Sequence, residues 1–241
     1  MSEPAPSLRQ RLYRPFRMVL PVLTLGSVAA FLYVVFMETP MEEQMGIVQK
    51  IFYLHVPSAN GMYLGWTLAA VGGLGYLATR KDSWDALAVA GAEVGTLFCL
   101  IVLITGPLWG RKAWGTYWVW DPRLTSTLLA GLVYMAFLSL RAGNPGATEK
   151  RFAATLAMLG FPLMFLIKFS VQAWSGQHPV VMSANGGGIA PAMYPALILG
   201  FVSLGFLALW LLDARFTAER TSQEAQRLEL LVAERGWMEN Q

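Results

Sequence analysis

Six long apolar runs constrain this chain more than any other feature of its sequence. Each run approaches or exceeds the roughly 20 residues that an α-helix needs to cross the hydrocarbon core of a bilayer. The runs cover residues 16–37, 60–79, 87–108, 124–140, 152–172 and 193–212. Only 14% of the 241 residues are charged, whereas a soluble domain carries about 25%. The sequence therefore predicts an all-α integral membrane protein, a bundle of six transmembrane helices joined by short loops.

The six spans leave little room for a separate soluble domain, so we predict one domain over residues 1–241. Its C-terminal tail, residues 213–241, mixes acidic and basic residues with Leu228 and Leu231, which predicts a cytoplasmic helix. The apolar run that follows the basic N-terminal residues is too long for the hydrophobic region of a cleaved signal peptide. We therefore expect that run to be retained as the first span.

The distribution of basic residues predicts the orientation in the membrane, because lysine and arginine favour cytoplasmic loops. With the N-terminus inside, 13 of the 18 basic residues lie in cytoplasmic segments. This arrangement places both termini in the cytoplasm and three segments outside, at about 38–59, 109–123 and 173–192. We predict loops in all three outer segments.

The second outer segment is rich in tryptophan, and it continues into the sequence WGTYWVWDPRLTS (Trp114–Ser126). Four of the nine tryptophans lie within twelve residues, at Trp109, Trp114, Trp118 and Trp120. An interfacial aromatic belt explains isolated tryptophans, since these side chains prefer the headgroup level. The cluster also suits stacking on a large planar ligand. Trp114 and Trp118, four residues apart, would share one face of a short helix.

Charged residues accompany the tryptophans on the outer side. The pair Asp121–Pro122 predicts an N-cap followed by proline at the first position of a helix. Arg111, Lys112 and Arg123 lie outside, against the general bias of basic residues. They either pair with Asp121 and lipid phosphates or bind an anionic ligand, and arginine suits carboxylates because its planar fork binds them bidentately.

The only two histidines, His55 and His178, both lie in outer segments and each has a proline one or two residues later. Neutral imidazole is the commonest metal ligand and a usual axial ligand of haem iron. Two histidines are too few for a structural zinc site, which needs about four ligands. They match the two axial positions of a porphyrin, whose flat face suits tryptophan and whose propionates suit arginine.

Glu93 is the one carboxylate that we place within a span, and an intramembrane carboxylate is a candidate functional group. It either takes part in function, bonds to a neighbouring helix or packs against a partner subunit. The segments GMYLG (Gly61–Gly65) and GAEVG (Gly91–Gly95) have the spacing of small residues that permits close helix packing.

These motifs carry a resemblance to a known family. The sequence WGTYWVWDPRLTS resembles the tryptophan-rich WWD motif of haem-handling proteins. The six spans and HVPSAN (His55–Asn60) before the second span resemble the CcmC family of haem exporters. A chain without a large additional domain fits this family better than its larger relatives, such as CcmF.

The resemblance implies that haem b is held on the periplasmic face of the bacterial inner membrane. His55 and His178 would be the axial ligands of the iron. The other residues that would bind the haem are Trp114, Trp118, Trp120, Asp121, Arg123 and Arg111. The resemblance further implies delivery to the haem chaperone CcmE, in an assembly with CcmD and the ABC transporter subunits CcmA and CcmB. No catalytic residue is identified, and a haem transport and handover protein is expected rather than an independent enzyme.

Three other functions remain open at this point. A b-type cytochrome usually binds haem through histidines within helices, and we expect both histidines here in loops. A proton-coupled transporter could use Glu93, although transporters typically gather several polar groups near the midplane. A scaffold that only organises other subunits would bind no haem.

Overall fold

The protein folds into a bundle of long α-helices. The computed structural model describes residues 8–143, 145–174, 178 and 188–239, and within them the only β-structure is an isolated bridge between Glu42 and Gly46. The six long helices of the described residues are α1 (Leu8–Tyr33), α2 (Ile51–Thr79), α3 (Asp82–Trp114), α4 (Pro122–Arg141), α5 (Ala147–Trp174) and α6 (Tyr194–Glu239). A π-helical turn, Val34–Glu38, extends α1, and 3-10 turns precede α2 and α6.

The prediction of an all-α membrane bundle is confirmed. Each apolar run lies within one of the six helices, except that residues 34–37 of the first run form the π-helical turn after α1 and the sixth run begins one residue before α6. Among the described residues, five helices are long and apolar enough to cross a membrane, and α2 is the one outside this group. Five glycines and three aromatic residues from Gly61 onwards lower the hydropathy of α2.

Several helices extend beyond the apolar runs. Helix α2 begins at Ile51, and α3 continues to Trp114, so the first two outer loops are shorter than expected. His55, Trp109, Arg111 and Trp114 are therefore helical, and their placement in loops is wrong. An apolar run ends where polar residues begin, whereas a helix continues for as long as its backbone hydrogen bonds form.

Helix α6 includes the C-terminal tail. The tail, predicted to be helical, continues α6 without a break as far as Glu239. The 46 residues of this helix span about 69 Å at 1.5 Å per residue. The hydrocarbon core of a bilayer is about 30 Å thick, so α6 extends well beyond it.

The closest helix contact joins α2 to α3 through glycine. A Cβ atom added to Gly65 would lie 2.5 Å from Cα of Gly95 and 2.8 Å from the carbonyl oxygen of Gly91. A Cβ atom added to Gly91 would in turn lie 2.5 Å from the backbone nitrogen of Ala69. The two glycine segments identified in the sequence therefore pack against each other, with the helix backbones in contact.

Aromatic side chains bind α2 to α4 and α5 in the core. The rings of Trp66 and Tyr134 stack with centroids 4.5 Å apart. The Tyr134 hydroxyl lies 3.2 Å from the carbonyl oxygen of Trp66 and 3.3 Å from that of Ala157. One hydroxyl group thus bridges two helices inside an otherwise apolar interior.

An ionic network closes the end of the bundle at which α3 begins and α4 ends, here named the Asp85 end. Asp85 is buried and lies 2.9 Å from Nη2 of Arg141 and 3.4 Å from Nζ of Lys150. Arg141 also pairs with Glu219 at 3.1 Å, and Gln223 donates a hydrogen bond to Asp85 at 3.0 Å. The network therefore joins α3, α4, α5 and the extended part of α6.

Glu93 of α3 forms an ion pair with Arg215 of α6. Nη2 of Arg215 donates to Glu93 Oε1 at 2.7 Å, and Nε of Arg215 donates to Oε2. The partner on a neighbouring helix matches one of the alternatives that the sequence leaves open. Glu93 thereby has a structural role between α3 and α6.

The glycine contact predicts a test of stability. We expect Gly65→Ala to lower the free energy of unfolding by about 1–3 kcal/mol, because the added methyl group meets backbone that cannot rotate away. Gly205→Ala, on α6, is the matched control, since a Cβ atom there would meet nothing within 4 Å. Thermal unfolding of both variants in the same detergent measures the difference. Equal stability of the two variants would contradict the close contact.

Candidate ligand-binding site

A large apolar cavity lies at the opposite end of the bundle from Asp85, here named the histidine end. Its volume is about 640 Å³, within the range of roughly 300–1,000 Å³ typical of ligand sites. The antiparallel helices bring the start of α2, the end of α3, the start of α4 and the end of α5 together here. Its polar and aromatic lining residues are Phe52, His55, Asn60, Tyr63, Thr67, Trp109, Trp114, Trp118, Arg123, Thr127, Phe161, Phe165, Lys168 and His178.

Helix α2 positions His55 against α3. The ring nitrogen Nδ1 lies 2.8 Å from the hydroxyl oxygen of Thr105. That hydroxyl also lies 2.6 Å from the carbonyl oxygen of Ile101, one turn earlier on α3. Gly106 leaves room beside the imidazole, since a Cβ atom there would lie 3.3 Å from Cε1 of His55.

His178 lies opposite His55, beyond the end of α5. Its Nδ1 atom is 3.1 Å from Nη1 of Arg123. The two imidazole centroids are 6.3 Å apart, and the ring planes differ by 31°. Two imidazoles that bind one metal ion from opposite sides through bonds of about 2.0 Å have centroids about 6 Å apart. The separation of the two rings therefore matches a pair of axial ligands.

Three of the four clustered tryptophans line the cavity, and Trp109, Trp114 and Trp118 are here named the tryptophan wall. Trp109 and Trp114 meet edge to face with centroids 5.7 Å apart. The rings of Trp120 and Trp118 meet edge to face, with centroids 5.7 Å apart. Trp120 is nevertheless 77% exposed and lies outside the cavity lining.

The expectation that Trp114 and Trp118 share a helix face is wrong. Helix α3 ends at Trp114, because Gly115 has a φ of +78° in the left-handed region that glycine favours. The chain turns there, and Trp118 reaches the cavity from the segment that connects α3 to α4.

Asp121 is the N-cap of α4, as the sequence predicts. Its carboxylate accepts hydrogen bonds from the backbone nitrogens of Arg123 and Leu124 at 2.8 and 3.4 Å. Pro122 occupies the first helical position. The buried cap fixes the start of α4, and so fixes Arg123 at the edge of the cavity.

Arg123 and Arg111 differ in position. Arg123 lines the cavity, and its Nε and Nη2 atoms donate to the carbonyl oxygens of Ile167 and Lys168, both at 3.3 Å. Arg111 donates to the carbonyl oxygen of Gly115 and lies over the ring of Tyr117, 5.7 Å from its centroid. Arg111 is not part of the cavity lining.

Sequence reasoning did not identify Thr105, Asn60 or Tyr63 as site residues. Asn60 lies in the segment HVPSAN, which is notable in the sequence only for its resemblance to the CcmC family. Thr105 is a single hydroxyl in an apolar run, and only the packing of α2 on α3 brings it to a histidine 50 positions away.

The donor set limits which metal species could occupy the cavity. Within the described residues, no three His, Cys, Asp or Glu side chains are grouped so as to hold a metal ion. Two imidazoles alone leave a bare transition-metal ion with most of its coordination sites open. The site suits a planar complex that brings its own equatorial donors.

The bundle and the site together define a class, the helical membrane proteins that place two histidines and a tryptophan-rich segment around one apolar cavity. The family model described as CcmC, haem exporter protein C, matches residues 4–231. The chain belongs to this family.

Curated relatives agree with the family match. A haem exporter protein C of Bradyrhizobium diazoefficiens is 34% identical over 81% of this chain and 76% of its own length. The haem exporter protein C of Escherichia coli strain K12 is 36% identical over 76% of this chain and 74% of its own. A putative cytochrome c biosynthesis ccmC-like mitochondrial protein of Marchantia polymorpha is 33% identical over 74% and 77%.

The N-cap of α4 predicts a graded effect of substitution at Asp121. We expect Asp121→Ala to lower the free energy of unfolding by about 1 kcal/mol, because two backbone N–H groups lose their acceptor. Asp121→Asn should keep most of the stability, since asparagine caps helices about as well as aspartate. Thermal unfolding of the two variants measures the contrast, and an equal loss in both would show that the charge matters more than the cap.

Proposed function

We propose that this protein takes part in haem export for the biogenesis of c-type cytochromes. In this proposal it binds haem b in the cavity, on the periplasmic face of the bacterial inner membrane, and delivers it to the haem chaperone CcmE. Membership of the haem exporter family supports the broad role, and the relative named for cytochrome c biosynthesis supports the pathway. Haem is the cargo of the protein rather than a permanent cofactor.

The separation of the two histidines is the observation that carries the proposal. Their centroids are 6.3 Å apart across a cavity of about 640 Å³. Haem supplies four equatorial nitrogens to its iron, so His55 and His178 would complete the coordination as axial ligands.

The remainder of the cavity suits the organic part of haem. The tryptophan wall offers aromatic faces to a planar apolar macrocycle. Arg123 would bind a propionate, since a guanidinium binds carboxylates through charge-assisted hydrogen bonds. Asp121 would act through Arg123 by fixing the start of α4.

Trp120 and Arg111 remain among the residues proposed to bind haem, but they would contact a different part of it. Both lie outside the cavity lining, so they would reach only the part of the haem that projects from the opening. The high exposure of Trp120 also suits contact with a chaperone that receives the haem.

The resemblance to the family supports the remaining partners. We infer an assembly with CcmD and with the ABC transporter subunits CcmA and CcmB. Both termini would lie in the cytoplasm, which places the histidine end outside and the Asp85 end inside. The excess of basic residues in the segments near the Asp85 end supports this orientation.

A b-type cytochrome is the second candidate, and the position of His55 favours it. His55 lies within α2, as haem histidines of such cytochromes usually do. The expectation that both histidines lie in loops argued against an electron-transfer role, and for His55 that argument no longer holds. Stable, reversible reduction of the bound haem without transfer to CcmE would identify a cytochrome.

The orientation predicts the signals of reporter fusions. A periplasmic reporter joined after Gly115 should be active, because α3 ends there at the histidine end. The same reporter joined after Lys81 or Pro145 should be inactive, and a cytoplasmic reporter should give the reverse pattern. A periplasmic signal after Lys81 would invert the proposed orientation.

The histidine pair predicts a stepwise loss of haem. His55→Ala and His178→Ala should each retain part of the haem with a changed visible spectrum, because one axial ligand and the tryptophan wall remain. The double variant should lose most haem or fail to transfer it. Haem content and spectra of the proteins purified with CcmE measure this. Free imidazole should partly restore the single variants, and a double variant with the unchanged spectrum would place the iron ligands elsewhere.

Arg123 predicts a specific loss of affinity. Arg123→Ala should weaken haem binding by roughly tenfold or more, since a hydrogen bond to a charged group contributes about 1.5–3 kcal/mol. Arg151→Ala is the matched control, because Arg151 is exposed at the start of α5, near the Asp85 end. Haem titration of both variants measures the difference, and equal affinities would remove the propionate role of Arg123.

A further inference from the structure

The hydrogen bond between His55 and Thr105 determines which nitrogen of His55 carries its proton. The Thr105 hydroxyl has one proton, and its short contact with the carbonyl oxygen of Ile101, at 2.6 Å, requires that proton. The hydroxyl must therefore accept from the ring, and Nδ1 of His55, 2.8 Å away, is the donor. A neutral imidazole protonated at Nδ1 has its lone pair at Nε2. Thr105 thus prepares His55 to bind a metal through Nε2.

The bond between His178 and Arg123 has the opposite effect. A guanidinium has only donors, so Nη1 of Arg123 donates to Nδ1 of His178 across 3.1 Å. Nδ1 of His178 is then the acceptor, and the proton of the neutral ring lies on Nε2. A neutral imidazole has one lone pair in its ring plane, and in His178 Arg123 engages it.

Iron and Arg123 therefore compete for the same electron pair. His178 could bind iron through Nδ1 after Arg123 leaves, or through Nε2 after the ring proton moves from Nε2 to Nδ1. Both routes need the Arg123 hydrogen bond to break. His55 needs no such change, since its lone pair lies on Nε2 while Thr105 holds Nδ1.

A carboxylate can break that bond. The three described partners of the Arg123 guanidinium are neutral acceptors, two carbonyl oxygens and one imidazole nitrogen. A carboxylate forms shorter and stronger hydrogen bonds with arginine than a neutral acceptor does. These bonds use three of the five guanidinium N–H groups, so a carboxylate frees His178 when it draws the guanidinium away from the imidazole.

We propose that Arg123 keeps His178 from the iron until a carboxylate of the ligand takes the guanidinium, whereas His55 is ready to bind at once. The inference rests on the proposed function, because it assigns an order to the two axial ligands of haem. Arg123 is then a positioning residue that couples recognition of the propionate to completion of the iron coordination. A metalloporphyrin without carboxylates would be bound through one histidine.

The first experiment needs no haem. The chain has two histidines, so protein labelled with nitrogen-15 histidine gives the signals of two imidazoles. Nitrogen NMR in detergent should show one ring protonated at Nδ1 and one at Nε2. Thr105→Val should disturb only the first ring and Arg123→Met only the second. Two rings with the same protonated nitrogen would overturn the proposal.

The second experiment compares iron protoporphyrin with its dimethyl ester, which has no carboxylates. With the unmodified protein, the acid should give the visible and electron paramagnetic resonance spectra of two imidazole ligands. The ester should give those of one imidazole and bind about tenfold or more weakly, since it lacks the charge-assisted bonds. Arg123→Met should abolish the contrast, and both porphyrins should then have two imidazole ligands.

The outcomes separate this inference from the proposed function. If the acid and the ester have the same coordination in the unmodified protein, haem binding stands and the exchange at Arg123 is wrong. If the contrast persists in Arg123→Met, another group recognises the carboxylate and the assignment to Arg123 is wrong. If neither porphyrin binds, the proposed function itself fails, and the order of ligands with it.

Discussion

The contact between α2 and α3 is the constraint on which the rest of the structure depends. Glycines at Gly65, Gly91 and Gly95 let the two backbones touch, because a side chain at these positions would overlap the opposite helix. Without water in the bilayer, such close packing is a main source of helix association. The same approach brings His55 of α2 within hydrogen-bonding distance of Thr105 of α3. The position of the first histidine is thus a consequence of glycine packing three turns away.

The antiparallel order of the helices brings the remaining residues of the site together. Residues far apart in sequence meet at the histidine end because each helix reverses the direction of the one before it. The Asp121 cap, the end of α5 and the segment that carries His178 then converge on Arg123. The charged residues of the Asp85 end are separated from this cavity by the length of the bundle. The two polar regions can therefore serve different functions without sharing residues.

The all-α fold could be predicted from the sequence because the hydropathy of long segments determines the number of helices. Helix ends were harder, since residues such as His55 and Trp109 are polar or amphipathic and still helical. The Asp121 cap followed from local chemistry and is confirmed. The bonds of Thr105 and Arg123 to the histidines depend on packing between distant segments, which no local pattern encodes. For the same reason, a bond from Glu93 to a neighbouring helix remained one alternative among several, and its partner Arg215 could not be named.

Helix α6 extends beyond the bonds that join it to α3. Two clamps fix it to α3, the Glu93–Arg215 pair and the bond from Gln223 to Asp85, and beyond them the residues 224–239 form an arm of about 24 Å. The apolar side chains on that arm, including Leu228 and Leu231, are exposed. A displacement of the arm would act on α3 through these two bonds, and α3 is also the helix that holds Thr105 and two members of the tryptophan wall. A protein bound to the arm would thus contact the molecule at the end opposite the cavity.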